Sequence, residues 1–544
     1  MQTVGDIIHQ LIPKGGNDND LKQCPLWPPD VFAVVATLAK KSDCYCQERF
    51  SKNFFDDAYQ NRVKKAAEVW RSSSGNYQLP EHVKQLWSKL ITYAAQSVSE
   101  KYYLASQECW WDIALELLAV ADEASQGIGF KSKHNNWVDA VFWENYCYLV
   151  KKSLFSTAAS PKVLLNDLPY SLCKEVSKDV LCVQPKTRTP QVGCTLRSWS
   201  HNLALLPSVN QVKTNWHLTL PERKKKLNIM LVPFPYNVPT VAFIGKEDEK
   251  RFCINQIWLK PEKESRAKPT RFFRALIEEA EEEIGEIHGV VFPEMALDAE
   301  IAKKIAKELT NVPSIEFFIT GIKGENNRNQ VYSSFFKAGT LSDDAVQSKC
   351  HPWFLDKNQI LRYHLGSALD PSIKWREDIN IADRSMQFHT FSDGASMSYF
   401  ICEDLARIDP IQTTIRSIGP NLLVVLLMDG PQLSSRWSAR YASVLADDPG
   451  SSVLALTCFG MVRRSIIPGE PTPRQIALWK EPNGNLKELL LPSRSHALVL
   501  SLTLSDVTEW TLDGRSDETQ TVNITLTGVR AITHHNPPAW ADTT

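Results

Sequence analysis

One cysteine of this chain stands where an alternating segment stops. In Ser396-Met-Ser-Tyr-Phe-Ile-Cys402-Glu-Asp-Leu-Ala-Arg407, polar and apolar residues alternate up to the thiol and two acids follow it. That pattern predicts a buried strand delivering a sulfur atom to a turn. A helix starting there would favour thiolate through its N-terminal amides and offer donors to a developing oxyanion. A lone strand-end cysteine is more often a small buried apolar residue, so the neighbouring strand ends decide the reading. Upstream, Gly289-Val-Val-Phe-Pro-Glu294-Met-Ala-Leu repeats the arrangement with a carboxylate, after helical spacing over residues 271–284. Between the two, Gln347-Ser-Lys349-Cys-His-Pro-Trp-Phe-Leu follows the strand-like Phe335-Phe-Lys-Ala-Gly and sets an amine ahead of an aromatic cluster. The order along the chain is carboxylate, amine, thiol.

On these residues the chain resembles the nitrilase, or carbon-nitrogen hydrolase, superfamily, whose members carry a Glu-Lys-Cys triad in this order. Phe292-Pro-Glu294 and Cys402-Glu-Asp are family-like, as are four further segments. These are the opening strand Lys226-Leu-Asn-Ile-Met-Leu-Val-Pro, the strand Pro420-Asn-Leu-Leu-Val-Val-Leu-Leu-Met, the helix Arg436-Trp-Ser-Ala-Arg-Tyr-Ala-Ser-Val-Leu-Ala and the strand Ser452-Val-Leu-Ala-Leu-Thr-Cys-Phe-Gly460. The likeness spans residues 225–510 and implies an α/β fold, a four-layer α-β-β-α sandwich preceded by an all-helical N-terminal domain.

The resemblance also implies roles. An ordinary thiol, with a pKa of about 8.5, is mostly protonated at neutral pH and needs a base before it attacks an amide or nitrile carbon. Glu294 would take that proton, return it to the leaving amine and later activate water. Lys349 would face the tetrahedral oxyanion, together with a backbone amide just after Cys402. Lys357 competes with Lys349 for this place, and Lys349 is preferred because it directly follows a strand. The products would be a carboxylate and an amine or ammonia, released through a thioester. Glu403, His351, Trp353 and Gln359 are expected on the substrate side, although a histidine before a proline also suits a structural loop. Many family enzymes carry a second glutamate shortly after the lysine. Here Gln359 is the nearest polar candidate, with Asp356 and Glu377 less well placed. A glutamine orients but shares no proton, which opens a second reading: an idle nitrilase-fold scaffold or ligand sensor. No cofactor and no metal are expected.

The elements that must position these groups fit the composition. A length of 544 residues predicts about three ordinary domains or two larger ones. A net charge of −1 gives no global attraction to nucleic acid or membrane, and the longest apolar run, residues 422–428, is too short to span a bilayer. Without a basic, apolar leader at the N-terminus, the expectation is a cytoplasmic protein whose twelve cysteines are mostly reduced thiols. Cys24, Cys44 and Cys46 have poor spacing for zinc. Helical spacing recurs over 30–40, 59–70, 81–95, 109–124 and 137–149, with tryptophans at 27, 70, 87, 110, 111, 137 and 143 as core anchors. The expected organisation is a helical domain over 1–160, a mixed connecting segment over 161–224, the hydrolase-like domain over 225–510 and a C-terminal extension over 511–544, closing in a strand or hairpin. By family analogy such extensions bind a second subunit, so a homodimer or larger assembly is expected, acting on a small amide or nitrile. The helical domain and the Lys349 context also resemble nitrilase domains associated with bacterial reverse transcriptases in antiphage defence. The chain has no Tyr-x-Asp-Asp signature, so a polymerase would be a separate partner.

Overall fold

The computed structural model describes residues 2–12, 20–46, 56–72, 79–99, 109–126, 170–191, 193–218, 224–260, 269–325, 328–381, 384–391, 395–465 and 472–544. The helix expected over 137–149, with Trp137 and Trp143, lies outside them. The chain forms two compact units: Met1–Asn215 with Thr413–Gly419 and Asp506–Thr521, and Trp216–Gln412 with Pro420–Ser505 and Val522–Thr544.

The first unit is led by helices Val4–Leu11, Pro28–Ser42, Asp57–Ser72, Glu81–Thr92 and Trp110–Ala124. Their ends follow local chemistry. Thr3 caps the first helix, its hydroxyl accepting from the Asp6 N–H while Asp6 returns the bond to the Thr3 N–H, a capping box. Pro28 and Pro29 open the second helix, where a missing N–H costs nothing. The Trp110–Ala124 helix is buried on nearly every side, so it is apolar almost all round rather than striped. Trp27, Trp70, Trp87, Trp110 and Trp111 are all buried. Trp27, Trp70 and Trp87 donate their indole N–H to the carbonyls of Leu172, Leu26 and Leu21, which satisfies the polar tip of a core anchor.

The second unit is built on two sheets. In chain order its strands are β1 (Lys213–Leu218), β2 (Lys226–Leu231), β3 (Gly289–Val291), β4 (Phe317–Lys323), β5 (Asn329–Lys337), β6 (Thr340–Ser348), β7 (Ser385–Phe391) and β8 (Ala395–Ile401). They continue as β9 (Leu422–Leu427), β10 (Ser452–Thr457), β11 (Gln475–Lys480), β12 (Leu486–Leu490), β13 (Ala497–Val507) and β14 (Thr521–Ile532). One sheet runs β6-β5-β4-β3-β2-β13-β14, the other β12-β11-β10-β9-β8-β7-β1. Each has a parallel centre, β2-β3-β4 and β8-β9-β10, flanked by antiparallel strands. Every residue of β8, β9 and β10 is buried, as expected for parallel strands covered on both faces.

The sheets pack face to face. The Ser333 hydroxyl of β5 meets the Tyr399 hydroxyl of β8 at 2.6 Å, and Phe335 of β5 stacks on His389 of β7. Helices cover the outsides: Ala299–Leu309 lies on β4 and β5, while Trp437–Asp447 lies on β10 and β11. The result is a helix-sheet-sheet-helix sandwich, the layering expected from the sequence. A small four-stranded sheet of Phe354–Leu355, Trp375–Glu377, Arg251–Ile254 and Phe243–Lys246 belongs to the same unit. Among the described residues no helix is long and apolar enough to cross a membrane.

Candidate active site

Glu294 enters the site through the turn that ends β3. That turn lies so close to β4 that a Cβ on Gly321 would sit 2.5 Å from the Glu294 Cα and 2.5 Å from the Pro293 carbonyl oxygen. Only glycine permits this approach. The Gly321 N–H donates to the Pro293 carbonyl at 3.1 Å and fixes the turn, and Met295 just beyond it has φ +57°.

Lys349 leaves the end of β6, where its N–H donates to the Asn329 carbonyl at 2.8 Å. Its Nζ donates to Glu294 Oε1 at 2.8 Å and to Glu377 Oε2 at 2.7 Å, and all three side chains are buried. The Asn329 amide lies between the same two acids, Nδ2 donating to Glu294 Oε1 at 2.7 Å and Glu377 Oε1 at 2.9 Å. Two carboxylates, one ammonium and one neutral amide thus share a dry volume. Burial works against the Lys349 charge, but Glu294 and Glu377, with Cys402 behind them, hold its pKa well above the usual lysine value. Burial raises the Glu294 carboxyl against the pull of Lys349, and the charge of Glu377 adds to the rise. Among the described residues the buried Glu294 Oε2 has no hydrogen-bond partner, which is uncommon for a buried polar atom.

Cys402 ends β8 and opens a short 3-10 turn over Cys402–Ala406. Its φ is +44°, a left-handed conformation that costs a non-glycine residue of order 1 kcal/mol and collects at functional turns. Cys402 is 3% exposed. Burial pushes its pKa well above the ordinary thiol value, Glu294 pushes further and Lys349 opposes.

Asp404 holds the amine and thiol segments together. Its carboxylate accepts the Cys350 N–H at 3.0 Å and meets His351 Nδ1 at 2.8 Å, tying the residues after Lys349 to those after Cys402. His351 is therefore clamped to the site's frame. Glu403 faces partly outward in an ion pair with Arg407. Trp353 is buried, its N–H donating to Glu377 Oε2 at 2.8 Å and its ring edge-on to Tyr363 at 6.0 Å.

Gln359 is not at the centre. It closes a capping box with Asp356 on the Lys357–Arg362 helix, its Oε1 accepting the Asp356 N–H at 3.1 Å. The second acid beside the lysine is Glu377, which the sequence reading ranked behind Gln359. Lys357 is exposed in the first turn of that helix.

Sequence reasoning missed Asp429, an acid just past the apolar β9. Its Oδ1 accepts from the Tyr363 hydroxyl and from Arg436 Nη2 at 2.6 Å, and its Oδ2 from the Trp437 indole at 3.0 Å. Asp429 adds to the field at Cys402. A carboxylate at a third parallel-strand end was the available signal.

No protein-family profile matches the chain and no curated protein matches it. Among solved structures, it is similar to the glutamine-dependent NAD+ synthetase of Acinetobacter baumannii at 12% identity and TM-score 0.31, over 56% of this chain and 48% of that one. An amidase from Nesterenkonia sp. aligns at 11% identity and TM-score 0.30, over 52% of this chain and 92% of that one. Saccharomyces cerevisiae Nit3, a member of branch 10 of the nitrilase superfamily, aligns at 12% identity and TM-score 0.29, over 48% and 85%. The match spans about half the length of the synthetase.

Proposed function

We propose that the protein is a thiol-dependent hydrolase of a non-peptide carbon-nitrogen bond, an amide or a nitrile. The observation that carries this reading is the buried Glu294-Lys349-Glu377 cluster set beside a cysteine held at φ +44° where a strand ends.

On an amide, Cys402 Sγ attacks the carbonyl carbon as its proton passes to Glu294 Oε2, the oxygen left open by Lys349 and Asn329. Two of the three Lys349 protons are committed to Glu294 and Glu377, which leaves the third to meet the oxyanion. Collapse breaks the C–N bond, Glu294 returns the proton to the departing nitrogen, and a thioester to Cys402 remains. Water, deprotonated by Glu294, attacks the thioester and releases a carboxylic acid and the thiol. Glu377 and Asn329 keep the base and the ammonium in register.

The test is alkylation with iodoacetamide across pH, read by peptide mapping, in the wild type and in Glu294→Gln, followed by intact-mass detection of an acyl adduct from a panel of small amides. Fast modification of Cys402 over Cys350 and Cys458, both also buried, and slowed in Glu294→Gln, supports the enzyme. The near-complete burial of Cys402 favours the second reading, a ligand-sensing scaffold. Labelling of Cys402 no faster than its neighbours, with no acyl adduct, would establish that reading instead. The self-association and the separate polymerase partner raised by the resemblance remain part of the proposal, to be checked by light scattering and by co-purification from the native host.

A further inference from the structure

A second polar cluster lies between the two sheets, apart from the proposed catalytic residues. His217 on β1, Asp343 on β6 and His389 on β7 each present one ligating atom within 4.8 Å of those of the other two. The hydrogen bonds around them bear on which ring nitrogens could ligate. His217 Nε2 meets Gln387 Oε1 at 2.8 Å, and a side-chain amide oxygen only accepts, so Nε2 carries a proton and Nδ1 is the ring nitrogen turned to Asp343. That Nδ1 is in direct contact with Asp343 Oδ2. His389 Nε2 meets the Tyr399 hydroxyl at 3.2 Å, and that hydroxyl is in turn bonded to Ser333. His389 is fully buried, and among the described residues its Nδ1 has no hydrogen-bond partner.

Two imidazoles with their ε nitrogens held by oxygen atoms, one with its δ nitrogen on a carboxylate, match the outer-shell arrangement of metal-bound histidines. We propose that His217, Asp343 and His389 bind one divalent transition-metal ion of the zinc class, with water or the second Asp343 oxygen completing four-coordination. The ion displaces the proton shared by His217 and Asp343 and gives the orphaned His389 nitrogen a partner. The two rings are nearly parallel, 13° apart with centroids 4.4 Å from each other. Coordination therefore tilts them toward a common point about their Nε2 bonds.

The consequence reaches the strand ends. Gln347, on the strand of Asp343, donates to the Tyr399 carbonyl at 2.7 Å and accepts the Gln387 N–H at 2.8 Å. A metal here brackets β1, β6 and β7, and β6 and the neighbouring β8 end at Lys349 and Cys402. The role is structural, and it stands whether or not the site at Cys402 turns over.

Cobalt(II) titrated into chelator-stripped full-length protein tests this. One equivalent per chain should give visible d–d bands of a low-coordinate N/O site without the near-ultraviolet thiolate band that cysteine ligation produces, and zinc(II) should abolish the bands and raise Tm. Asp343→Asn changes a partly exposed side chain and should fold. It should weaken cobalt binding at least tenfold, and His389→Gln should remove the spectrum. Absent bands, a thiolate band, or equal binding by Asp343→Asn and wild type would each overturn the assignment.

Discussion

At the scale of single residues, the site is governed by how few charges share one dry volume. Glu377 contributes a charge that raises the Glu294 pKa, so removing that charge while keeping the shape has a defined sign. In Glu377→Gln the Glu294 carboxyl should ionise at lower pH, and the acid limb of Cys402 alkylation should move to lower pH. An unchanged limb, measured by iodoacetamide rates across pH, would separate Glu377 from the base. Lys349→Met is the harsher change, since it leaves Glu294 and Glu377 buried without their cation. A stability loss of about 3–5 kcal/mol is expected from uncompensated buried charge, read as a lower denaturant midpoint. On the proposed reaction, that variant should also lose on the order of 10²–10³ in kcat, as removal of an oxyanion donor does.

Among the elements, strands that stop at a candidate site residue were legible and long-range partners were not. The alternation of Ser396-Met-Ser-Tyr-Phe-Ile and the apolar Gly289-Val-Val predict β8 and β3, and Cys402 and Glu294 stand where those strands end. Glu377 was ranked low because it lies 28 residues from Lys349 on a three-residue strand of a separate small sheet, where proximity along the chain says nothing. Gln359 attracted attention through nearness alone. The Asp356-x-x-Gln359 spacing already described a capping box, whose reciprocal bonds leave the amide little freedom. His217 lies 126 residues from Asp343 and 170 from Gln387, beyond any spacing rule. Gly321 is the element-scale counterpart of the proposed triad, since β4 sets the Glu294 turn only by lacking a side chain. Gly321→Ala must push backbone rather than a flexible side-chain tip. A stability cost of about 1–3 kcal/mol from overpacking is expected, together with a Cys402 alkylation rate lowered on the order of tenfold or more, because a 1 Å misplacement costs up to 10². Wild-type alkylation in a well-folded Gly321→Ala protein would show that the close approach has no bearing on Glu294.

For the whole molecule, the chain order hides how each unit closes. Arg515 is buried in the first unit although it comes from the far end of the chain, and it pairs with Asp122 at 3.1 Å, Glu123 at 2.9 Å and Asp513 at 2.9 Å while donating to the Trp199 carbonyl at 2.7 Å. Nothing in the composition of residues 506–521 points to that role; it depends on three acids in a buried setting that only the fold assembles. The second unit carries a different signature, two histidines held neutral. His288 Nδ1 accepts the Asn228 N–H at 2.9 Å, and His496 Nδ1 accepts the His534 N–H at 3.1 Å. A proton on either Nδ1 would set N–H against N–H. Burial first, then Lys224 for His288 and His534 for His496, brings both pKa values down to about 4. An unfolded histidine titrates at about 6.5, so between about 6.5 and 4 the unfolded chain binds protons that the folded one refuses. The stability these residues contribute is therefore complete above the unfolded value and is lost as pH falls through this window, at up to about 1.4 kcal/mol per pH unit for each ring. It flattens below about 4, where both states are protonated. Melting temperatures of the wild type should drop on acidification from pH 7 to 4, and His288→Gln and His496→Gln, which cannot titrate but can still accept the backbone N–H, should each show a shallower drop. A slope unchanged by both substitutions would assign the acid sensitivity to other groups.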